Sequence, residues 1–180
     1  MKLKKGMTLI EILLVIFIMS VVIAIPFWGG NRWVARNRLR NEAFKVKALL
    51  ETERTTAMSA SNRRALIFNG KNVTIRIEDQ NKPLPNLDST LASYPNYFSP
   101  RVNLGGLGSA TSLGGGTIDS DGIMFGTGSE NNMVVFSVFG LCETPGEIYI
   151  NDNRNLMCIG VNAFGQVRVY SWRGAWHEEK

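Results

Sequence analysis

The stretch Lys4-Lys5-Gly6-Met7-Thr8-Leu9-Ile10-Glu11, running on into Ile12-Leu13-Leu14-Val15-Ile16-Phe17-Ile18-Met19-Ser20-Val21-Val22-Ile23-Ala24-Ile25, decides how this chain is built. From Leu9 to Ile25 fifteen of seventeen residues are apolar, with Glu11 and Ser20 the exceptions. The apolar character surrounds the helix rather than forming one stripe, so a buried helix of a soluble domain fits poorly. Counted from Met7 to Trp28 the run has 22 residues. At helical rise this reaches roughly 33 Å, enough for a bilayer core of about 30 Å. A secretory signal peptide explains the basic start. It does not explain a core of this length, a carboxylate inside it, or the bulky Pro26, Phe27 and Trp28 where small residues favour cleavage. A retained membrane helix must account for Glu11, since a carboxylate in a membrane helix is costly and marks a function or a partner.

The rest of the composition narrows the field. The chain has 180 residues, two cysteines and one histidine, His177, four places from the end. Triads, dyads and metal sites that use histidine would have to draw on a terminal residue. The net charge is +5, and the three lysines among the first six residues account for enough of it that the remainder carries +2. Between Arg32 and Lys47 six cations (Arg32, Arg36, Arg38, Arg40, Lys45 and Lys47) face one acid, Glu42. This basic collar reads as a solvated helix face or as a contact with anionic lipid headgroups. Nucleic-acid contact is not expected there, because no aromatic residues interleave with the cations.

The register of basic residues, Gly6, a hydrophobic residue and Thr8-Leu9-Ile10-Glu11 before an apolar helix resembles the leader of type IV pilins and type II secretion pseudopilins. The resemblance implies cleavage after Gly6 by prepilin peptidase on the cytoplasmic side and methylation of the new N-terminus, Met7, where most relatives have Phe. It implies an assembly role for Glu11, whose carboxylate would meet the terminal amine of a neighbouring subunit. Two buried charges that pair are tolerable where each alone is expensive, and such a pair acts as a register device more than as a source of stability. The implied orientation opposes simple charge counting, because the C-terminal flank of the apolar run holds more cations than the N-terminal flank.

Beyond the apolar run, Pro26 is expected to interrupt the helix and Gly29-Gly30 to loosen it. Helical period then returns: Ala35, Leu39, Ala43, Val46, Leu50 and Ala57 form one apolar stripe. Residues 62–180 read as β-structure. Arg64–Phe68 and Val73–Glu78 flank a hairpin signal at Asn69-Gly70-Lys71-Asn72, and five more runs follow at Ile123–Phe125, Met133–Phe139, Glu147–Ile150, Leu156–Val161 and Gln166–Trp172. Residues 79–119, rich in Pro and Gly, are expected to form a long exposed irregular loop, with contact to a partner as its alternative role. No Gly-Lys-Ser/Thr follows its glycines, so it is no phosphate loop.

Phe125 with Gly128, Glu147-Ile148-Tyr149-Ile150 and Phe164-Gly165-Gln166-Val167-Arg168-Val169 resemble the C-terminal domain of the type II secretion protein H family and the FimT-like minor pilins. Some of those relatives bind DNA through Gly-Arg-Val-Arg. Here Gln166 replaces the first arginine, and Arg168 reads as an outward residue of a strand. The implied fold is α+β: a long N-terminal helix, about 75 Å if continuous from Thr8 to Ser59, packed on an antiparallel β-sandwich-like domain. The expected organisation is a leader (1–6), a transmembrane helix (7–28), an amphipathic continuation (29–61) and a periplasmic domain (62–180). In that compartment Cys142 and Cys158 are expected to form a disulfide, worth roughly 3 kcal/mol for a loop of about 17 residues. Two small buried hydrophobes are the other reading.

The implied function is that of a minor pseudopilin, a structural subunit of a type II secretion pseudopilus. It would be a single-pass protein of the inner membrane, with other pseudopilins, prepilin peptidase, the assembly platform and membrane lipid as its partners. A minor type IV pilin serving pilus biogenesis or DNA uptake is the alternative. No catalytic residue, cofactor or metal is expected. Asp119, Asp121 and Glu130 lie in loop-like sequence without a base or nucleophile motif beside them, and Cys-x-x-Cys pairs and histidine clusters are lacking.

Overall fold

A computed structural model describes residues 8–78, 87, 89–126 and 132–180, with the side chains of residues 24–32 outside the described set. The chain forms one helix, α1 (Leu9–Ser59), and ten strands among these residues. It divides into two compact units, Met1–Asn37 and Arg38–Lys180. In the first, the helix shows every side chain from Leu9 to Ile23 exposed. Helical structure is continuous through Pro26. A proline removes one backbone donor and crowds the preceding turn, which bends a helix without necessarily ending it.

Of the stripe foreseen on the helix, Ala35 lies in the first unit and is half-buried, and the remainder is the buried face of the helix in the second unit. Leu39, Ala43, Val46, Leu50 and Ala57 are each fully buried. The helix ends where Ser61 takes a left-handed φ of 47°, allowing the Asn62 N–H to donate to the Ala57 carbonyl at 3.2 Å. That bond closes the last turn, in a position where glycine is the common choice.

The strands are β1 (Arg64–Asn69), β2 (Asn72–Ile77), β3 (Ser89–Tyr94), β4 (Asn103–Leu104), β5 (Ile123–Phe125), β6 (Met133–Phe136), β7 (Gly146–Asn151), β8 (Leu156–Val161), β9 (Val167–Trp172) and β10 (Trp176–Glu179). One antiparallel sheet has the order β3-β2-β1-β6 and the other the order β10-β9-β8-β7-β4, with β5 also pairing β7. The foreseen hairpin is present, with Asn69 opposite Asn72 and Gly70 turning at φ 55°.

Side-chain alternation assigns the faces. Leu66 and Phe68 of β1, Ile148 and Ile150 of β7, Met157, Ile159 and Val161 of β8, and Val167 and Val169 of β9 join the helix stripe in one core. Phe68 and Phe125 stack across the two sheets, with centroids 6.2 Å apart. The fold is therefore α+β, a helix packed on antiparallel sheets.

Further expectations need correction. Residues 79–119 are not one irregular loop, since β3 and β4 lie within them. Nor is the glycine-rich part a free loop. Leu107, Ala110, Leu113 and Ile118 pack over the second face of β7–β9, against Tyr149, Leu156 and Cys158. The Leu113 N–H donates to the Tyr149 hydroxyl at 2.9 Å, and the Trp176 indole N–H donates to the Thr111 carbonyl at 2.9 Å. Finally, the C-terminus is a strand, where His177 pairs with Ser171, and β6 stops at Phe136 because residues 137–140 form a turn.

Candidate functional site

Gly6 and Met7, the cleavage and methylation positions implied by the leader, lie outside the described residues. Glu11 lies inside them, and the structure gives it a local partner. The Thr8 N–H donates to Glu11 Oε2 at 2.8 Å, and the Thr8 hydroxyl donates to the same oxygen at 3.1 Å. In return the Glu11 N–H meets Thr8 Oγ1 at 3.4 Å. This is a capping box: residue N-cap and residue N3 each satisfy a donor that the first helical turn leaves open. The carboxylate also sits at the positive end of the helix. Thr8-Leu9-Ile10-Glu11 thus sets where α1 begins. The Thr-x-x-Glu spacing ahead of an apolar run carries this signal in the sequence, where Glu11 was read only for its contact with other subunits.

Around that carboxylate the apolar side chains are unpartnered, with Leu9 77% and Ile10 73% exposed. Among the described residues no helix is long and apolar enough to cross a membrane. The side chains of the apolar run are described only as far as Ile23.

The basic collar is described in part, since the side chain of Arg32 lies outside the described residues. From Arg40 onward its cations are engaged by their own unit. Arg40 donates to the Lys180 carbonyl at 2.9 Å and lies 3.6 Å from Glu179. Lys45 pairs with Glu42 at 3.8 Å and sits 4.0 Å above the Tyr97 ring, and Lys47 pairs with Glu51 at 3.7 Å. Burial, with Glu42 nearby, pushes the Tyr97 phenol up to about 12. Arg40 and Lys45 therefore tie the helix to the β-domain, whereas Lys47 is paired within the helix.

Cys142 and Cys158 are free thiols, and both are buried. Cys142 belongs to the main core, whereas Cys158 belongs to the cluster under the glycine-rich loop. Alternation along β8 explains the separation: Met157 and Ile159 face the main core, so Cys158 between them faces the other way. The expected disulfide is thus not formed. Burial pushes the Cys142 thiol up to about 11 and the Cys158 thiol well above its ordinary value, so neither is an activated nucleophile.

A shallow groove of about 460 Å³ runs along the second face of the larger sheet, lined among others by Leu113, Glu147, Gly160, Asn162, Arg168 and Tyr170. Its polar groups are turned on each other. Glu147 accepts from the Tyr149 hydroxyl, Gln166 bonds Asn162, and Arg168 lies 3.5 Å from Glu178. The arginine considered for nucleic acid therefore has an acidic neighbour. Asp121 accepts from the Ile123 N–H at 3.1 Å, a turn-forming role, and Glu130 lies outside the described residues. Among the described residues no group of three or more His, Cys, Asp or Glu is placed to hold a metal ion.

Comparison with known proteins adds a family motif to this geometry. Residues 1–25 match the model of the prokaryotic N-terminal methylation motif. The chain thus carries the N-terminal motif of prepilin-like proteins, joined to an α+β domain. No curated protein matches it. Among solved structures it is similar to the type IV minor pilin FimU of Pseudomonas aeruginosa strain PAO1, at 13% identity and a TM-score of 0.49, over 75% of this chain and 90% of that one.

Proposed function

We propose that the chain is a type IV pilin-like minor subunit, and more specifically a minor pseudopilin of a type II secretion pseudopilus. Prepilin peptidase removes residues 1–6, and the new N-terminus at Met7 is methylated. Residues 7–28 hold the subunit in the inner membrane by a single pass, residues 29–61 continue the helix, and residues 62–180 lie in the periplasm. Its activity is packing rather than catalysis. Other pseudopilins are met through the N-terminal helix, and the assembly platform moves the subunit out of the lipid.

One observation carries this reading: residues 1–25 match the methylation motif, and its Thr8-Leu9-Ile10-Glu11 stands at the start of a 51-residue helix. A second reading keeps the same subunit but places it in a type IV pilus, because the motif at Gly6–Glu11 serves either filament. DNA uptake through Arg168 is disfavoured by its contact with Glu178.

The test is the N-terminal mass of the protein from native membranes. A chain that begins at N-methylated Met7 is expected. Intact Met1, or a start near Gly29, overturns the proposal. Deletion of the gene with secretion and piliation read side by side then separates the two filaments.

A further inference from the structure

Two turns of the β-domain meet at one side chain of the helix. In the first, the Gly140 N–H donates to the Ser137 carbonyl at 2.9 Å, and in the second, the Gly165 N–H donates to the Asn162 carbonyl at 2.8 Å. The Cys142 N–H donates to the Ala163 carbonyl at 3.0 Å and ties the turns together. They touch so closely that a Cβ on Gly165 would stand 2.2 Å from the Gly140 oxygen. Both glycines adopt positive φ, 74° and 72°. Arg54 reaches between them: its Nε donates to the Gly140 carbonyl at 2.8 Å and its Nη2 to the Phe164 carbonyl at 3.2 Å.

Each turn places a phenylalanine immediately before its glycine. Phe139 is 79% exposed and Phe164 70%. Turn apices favour Gly, Asn, Asp and Ser, each for a backbone reason that phenylalanine does not share. Neither ring belongs to a core cluster or stacks on another aromatic among the described residues. Leu141 and Met58 are exposed beside them, and Met58 lies against Gly140, where an added Cβ would come within 2.5 Å of its sulfur. Apolar side chains gathered in this way on a surface mark an interaction site.

The charge at the centre says what kind of partner fits. Arg54 has five N–H donors in a rigid fork, and the two carbonyls hold it in place without neutralising it. Among the described residues no carboxylate pairs with it, and its Nη1 has no hydrogen-bond partner. A cation fixed by backbone carbonyls, on turns that expose Phe139 and Phe164, is complementary to a carboxylate set among apolar side chains. We propose that Arg54, Phe139, Leu141, Phe164 and Met58 form a docking site for a protein segment with one carboxylate between apolar residues. The carboxylate takes the open edge of the guanidinium, and its apolar neighbours cover the two phenyl rings. The site goes beyond the proposed function and does not depend on which filament, if any, the chain joins.

The experiment uses the full chain in lipid nanodiscs, probed with an array of labelled, acetylated hexapeptides that carry one central glutamate and all combinations of apolar neighbours. Saturable binding is expected for a subset, with at least a tenfold loss when the glutamate is replaced by glutamine. A Phe139→Ser/Phe164→Ser double variant should lose at least tenfold. It should unfold at the same temperature as the parent, because both rings are exposed. Arg54→Lys, which keeps the charge and breaks the fork, should weaken the glutamate preference. The proposal is overturned if no peptide binds, if the glutamine peptides bind equally well, or if the double variant binds unchanged. It is also overturned if nanodisc-embedded chains self-associate through this patch, which would make a second copy the occupant, or if lipid vesicles without peptide protect the two phenylalanines from labelling.

Discussion

Arg64 Nη1 lies 2.7 Å from Glu53 Oε2, with the two side chains only 13% and 9% exposed. The pair joins the helix to the first residue of β1. The Arg64 Nε has no hydrogen-bond partner, so this guanidinium is already incompletely satisfied and depends on the carboxylate. Removing one member of a buried pair leaves an uncompensated charge, which costs about 3 kcal/mol or more. Glu53→Ala is therefore expected to lower the unfolding free energy by about that amount, measured by guanidinium titration of the purified chain. Glu53→Leu combined with Arg64→Met should recover most of the loss, since an apolar pair of similar volume has no charge to bury. A double variant as unstable as Glu53→Ala alone would show that the pair's cost lies elsewhere.

The two glycines Gly70 and Gly165 separate conformational strain from crowding. Both have positive φ, 55° and 72°. An added Cβ meets nothing within 4 Å at Gly70, whereas at Gly165 it meets the Gly140 oxygen at 2.2 Å and Arg54 Nε at 2.7 Å. Gly70→Ala should cost about 1 kcal/mol, from the left-handed backbone alone. Gly165→Ala adds forced movement of a packed turn and should cost about 3 kcal/mol. Equal losses in paired thermal melts would refute the crowding argument.

Glu11 gives a prediction about assembly. Its bonds to Thr8 are local to the first turn, so Glu11→Ala leaves the positions around Gly6 chemically intact and removes a carboxylate. Processing should continue, with the mass of the N-terminal peptide showing cleavage after Gly6. Assembly into filaments should fall steeply if, as we propose, this carboxylate meets the terminal amine of a neighbouring subunit. Filaments in normal number with this substitution would remove the register role from the account.

How much of this could be read in the residues follows from where the physical signal lies. The stripe Leu39, Ala43, Val46, Leu50 and Ala57 was legible because burial of one helix face writes itself as period 3.6, and all five are fully buried. Strand β9 was legible for the corresponding reason at period 2, whereas β7 and β8, buried on both faces, were legible as short apolar runs between turn signals. Strand β3 was not: Ser89-Thr90-Leu91-Ala92-Ser93-Tyr94 is a sheet edge with only half-buried and exposed positions, so no apolar alternation was imposed on it. The glycine-rich cover over Tyr149 escaped notice because its anchors (Leu107, Ala110, Leu113 and Ile118) are spaced by turns rather than by a regular element. The separation of Cys142 from Cys158 depends on which face of β8 each sees, and that is a property of register across the sheet. At the candidate site, the capping role of Glu11 was present as Thr-x-x-Glu, while the meeting of Arg54 with two distant turns had no local trace.

The buried acids of the core predict the response to alkali. Burial raises the Cys142 thiol from an ordinary value near 9 to about 11 and the Tyr97 phenol from near 10 to about 12. Cys158 and Tyr149 move in the same direction. For each group the folded chain keeps its proton at a pH where the unfolded chain has lost it. The unfolded state then binds fewer protons, and the unfolding free energy falls as pH rises. The stabilisation tied to Cys142 is complete below about pH 9 and disappears between about 9 and 11; that tied to Tyr97 disappears between about 10 and 12. Guanidinium titrations at intervals from pH 7 to pH 11 should show little contribution from these groups up to about 9 and a steepening decline beyond it. Cys142→Ala should reduce the slope between 9 and 11, and a thiol-alkylating reagent at pH 8 should label neither cysteine until the chain unfolds. An unfolding free energy that stays level or rises from pH 9 to pH 11, or a parent and Cys142→Ala with the same slope, would show that the thiol is not held protonated by the core.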